Sequence, residues 1–222
     1  MHVVICGGGV IGACTAYFLT RRGVDVTVIE RTEVACAASG KAGGFLARDW
    51  CAGSPLDSLA RRSFALHAEL ASEIADDLGY QRMNAYSGFI ALPPLQCGAG
   101  SGTAQARDRD ARRHAPAALD WLSAGTVISD RIGTPDTTAI VHPRKFTAAM
   151  MRAAQQQGAQ LRLGQVTGLV RRPSESIVTG VEVDGSVVEA DAVVIAMGPW
   201  SMLASQWAPL PQVFGRQTPS LV

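Results

Sequence analysis

Three glycines near the start of the chain have the spacing of a phosphate-binding turn. Gly7, Gly9 and Gly12 form the pattern G-x-G-x-x-G, which follows an apolar run and precedes a helical pattern. The first glycine allows a sharp turn, the second lets a pyrophosphate approach the backbone closely, and the third lets the helix lie close to the strand. The free N–H groups and the positive dipole end at a helix start also favour a pyrophosphate. The spacing therefore predicts a cradle for a dinucleotide.

A carboxylate lies where such a cradle needs one for a ribose. Glu30 follows Gly12 by 18 residues, at the end of a second apolar run, Val24–Glu30. It can accept hydrogen bonds from both ribose hydroxyls and would repel a 2′-phosphate, which disfavours NADP. Strand, glycine turn, helix, strand and acid together predict a β-α-β nucleotide-binding unit. The alternative is a glycine-rich turn in an unrelated α/β domain.

The helix of this unit must pack on its strands. It is predicted over Ala13–Gly23, directly after the turn. One face carries Cys14, Thr15 and Phe18, together with Ile11 of the turn, at three- and four-residue steps. Such a stripe is typical of the side of a helix that faces the core. We therefore expect these four side chains to form the buried face.

The stretch Ala35–Gly44 consists of small residues apart from Lys41. Small residues let a backbone run closely along a flat ligand. Because the stretch directly follows the ribose-binding acid, we predict a loop that lies beside the pyrophosphate and the ring of a cofactor. The alternative is a flexible surface loop.

Periodicity and turn residues predict the other elements. Residues 95–117, rich in Gly, Ala, Arg and Asp, are expected to form a mobile surface loop. Asp184 and Gly185 predict a tight hairpin turn, and a last apolar strand ends at Gly198, where it offers a second approach to the cofactor. The predicted helices and strands are Leu56–Tyr80, Tyr86–Leu92, Arg144–Gln157, Leu161–Leu163, Val166–Val170, Ile177–Val183, Ser186–Glu189 and Ala190–Met197.

The composition argues against several classes of partner. There are 20 Lys and Arg against 19 Asp and Glu, so charge gives no case for nucleic acid or an anionic membrane. The five cysteines match no zinc or redox spacing, which predicts reduced thiols and no metal site. No apolar run reaches membrane-spanning length and no signal peptide precedes the first strand. We therefore expect a cytoplasmic protein that acts on a small-molecule substrate; the oligomeric state is left open.

Five motifs carry a resemblance to a known family. They are Val4–Gly12, Ala37–Phe45, His142-Pro143 with Phe146-Thr147, Gly164–Gly168 and Val193–Ser201. On these motifs, which cover most of the chain outside 95–117, the sequence resembles the FAD-dependent oxidoreductases of the D-amino-acid-oxidase type, which include sarcosine and glycine oxidases. It is most similar to the cytoplasmic members from plants and fungi.

The resemblance implies an α/β fold with a Rossmann-like FAD-binding domain and an antiparallel substrate domain. It also implies hydride transfer from an amine or amino-acid-like substrate to the flavin, which oxygen often reoxidises. No catalytic residue follows from it. The residues that it implies for FAD binding are Gly7, Gly9, Val10, Ile11, Gly12, Glu30, Arg31, Ser39, Gly40, Lys41, Gly43, Gly44, Val166, Ala196, Gly198 and Trp200.

The family continues well past the length of this chain, with the rest of the substrate domain and a Gly-rich C-terminal segment. We therefore expect a C-terminally truncated form, with an FAD-binding domain over 1–50 and 140–205, an insertion over 51–139 and the start of a truncated segment over 206–222. Two alternatives stay open. One is a non-catalytic FAD-binding or interaction protein. The other is an NAD-dependent dehydrogenase, against which the hairpin before the last strand argues.

Overall fold

A computed structural model describes residues 1–90, 119, 121–122, 126–172 and 177–210. The predicted loop 95–117 lies outside the described residues, as does most of the predicted segment 206–222. Contacts group the chain into two compact units, each described by itself. The first contains Met1–Phe45, Ala65–Tyr80 and the described part of Val141–Val222, and the second contains Leu46–Phe64 and the described part of Gln81–Ile140. The division at residues 65–80 differs from the predicted domains, which place that segment in the insertion.

The first unit begins with an alternation of strand and helix and has five consecutive strands in its last part, whereas short strands predominate in the second. Two short 3-10 helices, Ala38–Gly40 and Gly198–Gln206, are referred to by their residues. The elements in chain order are β1 (His2–Cys6), α1 (Val10–Thr20), β2 (Asp25–Glu30), β3 (Phe45–Ala47), α2 (Asp57–Glu73), β4 (Gln81–Arg82), β5 (Ala85–Ile90), β6 (Thr126–Gly133), β7 (Thr138–Ile140), α3 (Pro143–Gln156), β8 (Gln160–Leu163), β9 (Val166–Arg171), β10 (Val178–Val183), β11 (Ser186–Glu189) and β12 (Ala192–Ile195).

A parallel sheet with the order β12-β1-β2-β8 forms the centre of the first unit. In the register of its central strand, Val4 lies between Val193 and Thr27. Val4, Ile5 and Cys6 are fully buried, as expected for a strand covered on both faces. The predicted α/β class with a β-α-β unit is confirmed.

Helix α1 buries three small residues and Tyr17, and not the face that its apolar spacing suggests. Gly12, Ala13, Ala16 and Tyr17 are its buried residues, while the side chain of Ile11 is 65% exposed. The predicted face of Ile11, Cys14, Thr15 and Phe18 was therefore wrong. A helix that is apolar on most sides has no clear stripe, so close approach to the strands, which only small side chains allow, decides the orientation.

Helix α3 packs against α1 and confirms its predicted buried face, with Phe146, Met150 and Ala153 inside. Its N-cap is His142, whose Nδ1 accepts a hydrogen bond from the Lys145 N–H at 3.4 Å. An N-cap acceptor satisfies one of the free N–H groups at a helix start. The His142-Pro143 pair is therefore explained by its role in starting α3.

An antiparallel sheet with the order β11-β10-β9 covers one side of the parallel sheet. Val181 and Val183 of this sheet form a core cluster with Val4, Cys6 and Ile29. Asp184 and Gly185 both have positive φ, 50° and 77°, as a tight turn between twisted strands requires. The predicted hairpin is confirmed.

Helix α2 ends at Glu73, seven residues before the predicted end at Tyr80. The Asp76 Oδ1 accepts from the Asp77 N–H at 2.8 Å, and the Asp77 Oδ1 accepts from the Gly79 N–H at 2.8 Å. These local bonds take the place of helical ones. The apolar spacing that continues to Leu78 comes from a turn that buries Leu78, not from further helix.

The second unit contains two small sheets. One sheet has the order β3-β7-β4, and the other pairs β5 with β6. Thr138, fully buried at the start of β7, donates its hydroxyl to the Met83 carbonyl at 2.7 Å. Across the described parts of both units, no helix is long and apolar enough to cross a membrane.

Candidate functional site

A cavity of about 310 Å³ opens at the carboxyl ends of β1, β2 and β12, within the first unit. This is the edge at which open parallel sheets bind ligands. The cavity collects residues from four separate parts of the chain: the glycine turn, the end of β2 with the loop after it, the start of β9, and the segment after β12. The predicted site residues that line it are Gly7, Gly9, Val10, Ile11, Glu30, Arg31, Ser39, Val166, Ala196, Gly198 and Trp200.

The glycine turn has the geometry that its spacing predicts. Gly7 has φ +112°, and a Cβ there would overlap the carbonyl of Ala196 on the neighbouring strand segment. A Cβ on Gly12 would overlap the Gly7 carbonyl. Both residues must therefore be glycine for β1, α1 and the end of β12 to come together.

The N-terminus of α1 faces the cavity. Gly9, its N-cap, has no side chain to cap the helix, and Gly9, Val10 and Ile11 all line the cavity wall. The first N–H groups of a helix have no partner within the helix and carry positive partial charge. This part of the cavity is therefore suited to an anion such as a pyrophosphate.

The side chain of Glu30 lies against the glycine turn. Its Oε2 accepts a hydrogen bond from the Gly8 N–H at 2.8 Å, and its Oε1 accepts from the Thr32 N–H at 3.0 Å. The carboxylate is half-buried and lines the cavity. It thus lies where a ribose-binding acid was predicted. With the Thr32 hydroxyl, which donates to Oε1 at 3.5 Å, three of its acceptor directions already have protein partners.

The small-residue loop contacts the turn through Ser39. Its Oγ accepts from the Val10 N–H at 2.9 Å, and Ala37 and Ala38 line the cavity beside it. Ala35 is buried with φ 61°, and its N–H donates to the Gly8 carbonyl at 3.2 Å. The first half of the loop is therefore ordered against the glycine turn.

Five predicted site residues do not line the cavity: Gly12, Gly40, Lys41, Gly43 and Gly44. Gly12 acts instead on the packing of α1. A Cβ on Gly40 would overlap the Ala35 carbonyl, and one on Gly44 would overlap the Val141 carbonyl. The structure thus gives these two glycines packing roles, and the contacts of Lys41 and Gly43 with a cofactor stay predictions.

The opposite wall of the cavity comes from the segment after β12. The Ala196 N–H donates to the Cys6 carbonyl at 2.9 Å and continues the pairing beyond the strand. Trp200 follows in the 3-10 helix Gly198–Gln206, and the guanidinium of Arg31 lies 5.2 Å from its ring centroid. This cation–π contact joins the ends of β2 and β12 across the cavity.

Several lining residues were not among the predicted site residues, and Gln165 and Trp207 are two of them. The Trp207 carbonyl accepts from the Arg171 guanidinium at 2.8 Å, which ties the end of the 3-10 helix to β9. The only sequence feature that could have indicated Gln165 and Trp207 as lining residues is their closeness in sequence to Val166 and Trp200.

The floor of the cavity includes a thiol that does not ionise at neutral pH. Burial raises the pKa of Cys6 to about 12, and the same cause raises the pKa of Cys14 in α1 to about 12. A thiol with so high a pKa behaves as a small apolar side chain rather than as a nucleophile.

Comparison with known proteins shows the family of the chain. The sequence model described as FAD dependent oxidoreductase (DAO) matches residues 2–219. A Schizosaccharomyces pombe protein named as an oxidoreductase is 29% identical over 223 residues, which cover 90% of this chain and 55% of that protein. The chain spans about half the length of the curated relatives that it matches.

Solved glycine oxidases have a similar fold. The enzyme from Geobacillus kaustophilus superposes with a TM-score of 0.69 at 26% identity, covering 94% of this chain and 58% of the other. The enzyme from Bacillus cereus gives a TM-score of 0.68 at 25% identity, covering 92% and 57%.

Proposed function

The chain belongs to the family of FAD-dependent oxidoreductases of the DAO type, and from this premise we propose that its cavity holds the FAD of an amine or amino-acid oxidoreductase. One observation carries the proposal. The N-terminus of α1, Glu30 and the segment after β12 line the same cavity. They offer an anion site, a ribose acceptor and an apolar wall, which are the three kinds of group that the adenosine diphosphate part of FAD requires.

The residues of the cavity divide between the parts of the cofactor. The N-terminus of α1 would hold the pyrophosphate, since Gly9 and Ile11 line the cavity there beside Val10, whose own N–H donates to Ser39. Glu30 would accept from the ribose, and Val166 would contact the adenine. Trp200, on the opposite wall, and Arg31, which contacts its ring, would cover the cavity. A contact of Lys41, Gly43 or Gly44 with the flavin half of FAD is part of the same proposal.

When bound, FAD supplies the redox chemistry and takes a hydride from the substrate C–H bond, and the protein binds and orients both molecules. The substrate class is inferred from the glycine oxidases that the chain resembles. The proposed substrate is a small amine or amino acid. A cytoplasmic location is part of the proposal, from the composition alone.

The test is flavin uptake followed by reduction. The purified chain is incubated with FAD, desalted and examined for yellow flavin absorbance. Glycine, sarcosine or proline is then added without oxygen, and bleaching of the flavin band is followed. We expect one FAD per chain and bleaching with at least one of these substrates. The absence of any FAD uptake would refute the proposal.

A matched variant pair tests the placement of FAD. Gly12→Ala should abolish uptake because its Cβ displaces the start of α1, whereas Gly168→Ala should keep it. Gly168 lies in β9, and a Cβ there would be 3.7 Å from the nearest atom outside its neighbours, the Glu182 Oε2.

FAD uptake by the original chain without reduction by any amine would instead support the non-catalytic FAD-binding alternative.

A further inference from the structure

Glu30 makes two contacts that binding of a ribose does not require. Its two carboxylate oxygens accept from the N–H groups of Gly8 and Thr32, at 2.8 and 3.0 Å. Gly8 is a variable position of the G-x-G-x-x-G pattern, so the pattern itself assigns it no role. Hydrogen bonds to a carboxylate are among the stronger ones in proteins, and here they join the end of β2 to the turn after β1.

Gly8 is held from both sides. Its N–H donates to Glu30, and its carbonyl accepts from the Ala35 N–H at 3.2 Å. A Cβ on Gly8 would lie 3.1 Å from the Glu30 Cβ and 3.2 Å from the Glu30 Cγ. The Glu30 side chain therefore lies directly over the backbone of Gly8, which explains why a glycine stands there.

We propose that Glu30 is a positioning residue for the glycine turn, in addition to any contact that it makes with the ribose. Through Gly8 it holds the N-terminus of α1 in the geometry that an anion needs before the cofactor arrives. Each carboxylate oxygen can accept two hydrogen bonds. The Oε1 of Glu30 already accepts from the Thr32 N–H and, at 3.5 Å, from the Thr32 hydroxyl, whereas its Oε2 keeps a second acceptor direction for a ligand in the cavity that Glu30 lines. The inference rests on the proposed FAD site.

The substitution that separates the two roles is Glu30→Gln. Glutamine keeps one acceptor oxygen and replaces the other with an NH₂ donor. Either Gly8 or Thr32 would then face a donor with its own N–H group. If Glu30 positions the turn, this change disturbs the site even when the ligand has no ribose hydroxyls.

The first experiment compares ADP with 2′,3′-dideoxy-ADP by titration calorimetry. We expect Glu30→Gln to weaken the binding of both ligands about tenfold or more, the size of effect given by a hydrogen bond to a charged group. If the affinity for the dideoxy ligand is the same in the variant as in the original chain, Glu30 acts on the ribose alone and the inference is wrong. The control is Glu189→Gln, an exposed carboxylate on β11, which should change neither affinity.

The second experiment needs no ligand. Amide hydrogen exchange is measured by NMR in the protein without cofactor. Exchange at Gly8 or Thr32 should become about tenfold faster in Glu30→Gln, with Glu189→Gln unchanged. Unchanged exchange at both amides would overturn the inference. Equal acceleration throughout β1 and α1 would also overturn it, because it would show a general loss of stability and not a local effect on the turn. If the original chain binds neither FAD nor ADP, the proposed function fails, while this measurement still decides the role of Glu30.

Discussion

At the scale of single residues, the site depends on how little space its glycines leave. Gly7 lies against the Ala196 carbonyl, Gly12 against the Gly7 carbonyl, and Gly8 against the Glu30 side chain. The same backbone is therefore tightly packed on its protein side and open on its cavity side. A side chain added at Gly7 or Gly12 must move neighbouring backbone, which cannot turn away as a flexible side chain can.

Gly12→Ala should lower the free energy of unfolding by about 1–3 kcal/mol, the usual cost of overpacking. Alanine is otherwise the better helix former by about 1 kcal/mol, so propensity alone predicts the opposite sign. Urea denaturation of the variant measures the difference. Gly168→Ala serves as the control and should change the stability little, and a stabilised Gly12→Ala variant would contradict the close packing of α1.

The contact between Lys145 and Asp77 predicts a dependence of stability on pH. The Lys145 Nζ donates to the Asp77 Oδ2 at 2.6 Å. This bond, with that from the Gly79 amide, lowers the pKa of Asp77 below its ordinary value of 3.8. When folding lowers the pKa of a carboxyl, the ionised carboxylate stabilises the protein at pH values above the ordinary pKa. This stabilisation is lost as the pH falls through the lowered pKa.

Lys145→Gln should therefore destabilise the protein at pH 7, and the difference from the original chain should disappear well below pH 3.8. Urea denaturation at a series of pH values measures this. Arg162→Gln is the control, because it also removes one exposed positive charge and no ion pair is found for Arg162 within the described residues. A difference that persists unchanged at low pH would show that Lys145 acts through packing.

At the scale of elements, the site is positioned by two helices that pack together and bury several alanines. Ala13 and Ala16 of α1 and Ala149, Ala153 and Ala154 of α3 are all buried. The two helices pack together, with Met150 as a large, fully buried side chain of α3. The orientation of α1 depends on this packing. The same packing therefore keeps the N-terminus of α1 directed at the cavity.

Met150→Ala should cost about 2–5 kcal/mol in the free energy of unfolding, because a large buried side chain leaves a cavity when it is removed. Gln156→Ala, at an exposed position of the same helix, should stay close to the original chain. Thermal or urea unfolding of the two variants measures the contrast. Equal effects would mean that α3 does not use Met150 as a core residue.

At the scale of the whole molecule, the sequence predicted the elements that depend on local chemistry. The glycine spacing identified the first β-α-β turn, and the Asp184-Gly185 pair identified the hairpin, because both conformations follow from the residues themselves. It did not predict which face of α1 is buried, where α2 ends, or that Trp207 lines the cavity. Those depend on strands and side chains distant in sequence, such as the tie between Arg171 and the Trp207 carbonyl.

Binding of FAD should raise the melting temperature of the chain. At a concentration of 100 times the dissociation constant, a ligand that binds only the folded state adds about 2.7 kcal/mol, or about 5–10 °C for a chain of this size. Riboflavin is the matched ligand control because it lacks the pyrophosphate and adenosine, and it should give a much smaller shift. Equal shifts would show that the cavity does not bind the adenosine diphosphate part.

The position of β1 also sets the order in which the protein can be completed during synthesis. Its partner on one side, β2, is made almost at once, but its partner on the other side, β12, begins at Ala192. Until the ribosome has passed that point, β1 exposes an unpaired apolar edge, the kind of surface that invites aggregation. A nascent chain therefore carries the glycine turn early but acquires the second wall of the cavity only near residue 200, so cofactor capture must follow synthesis of that strand.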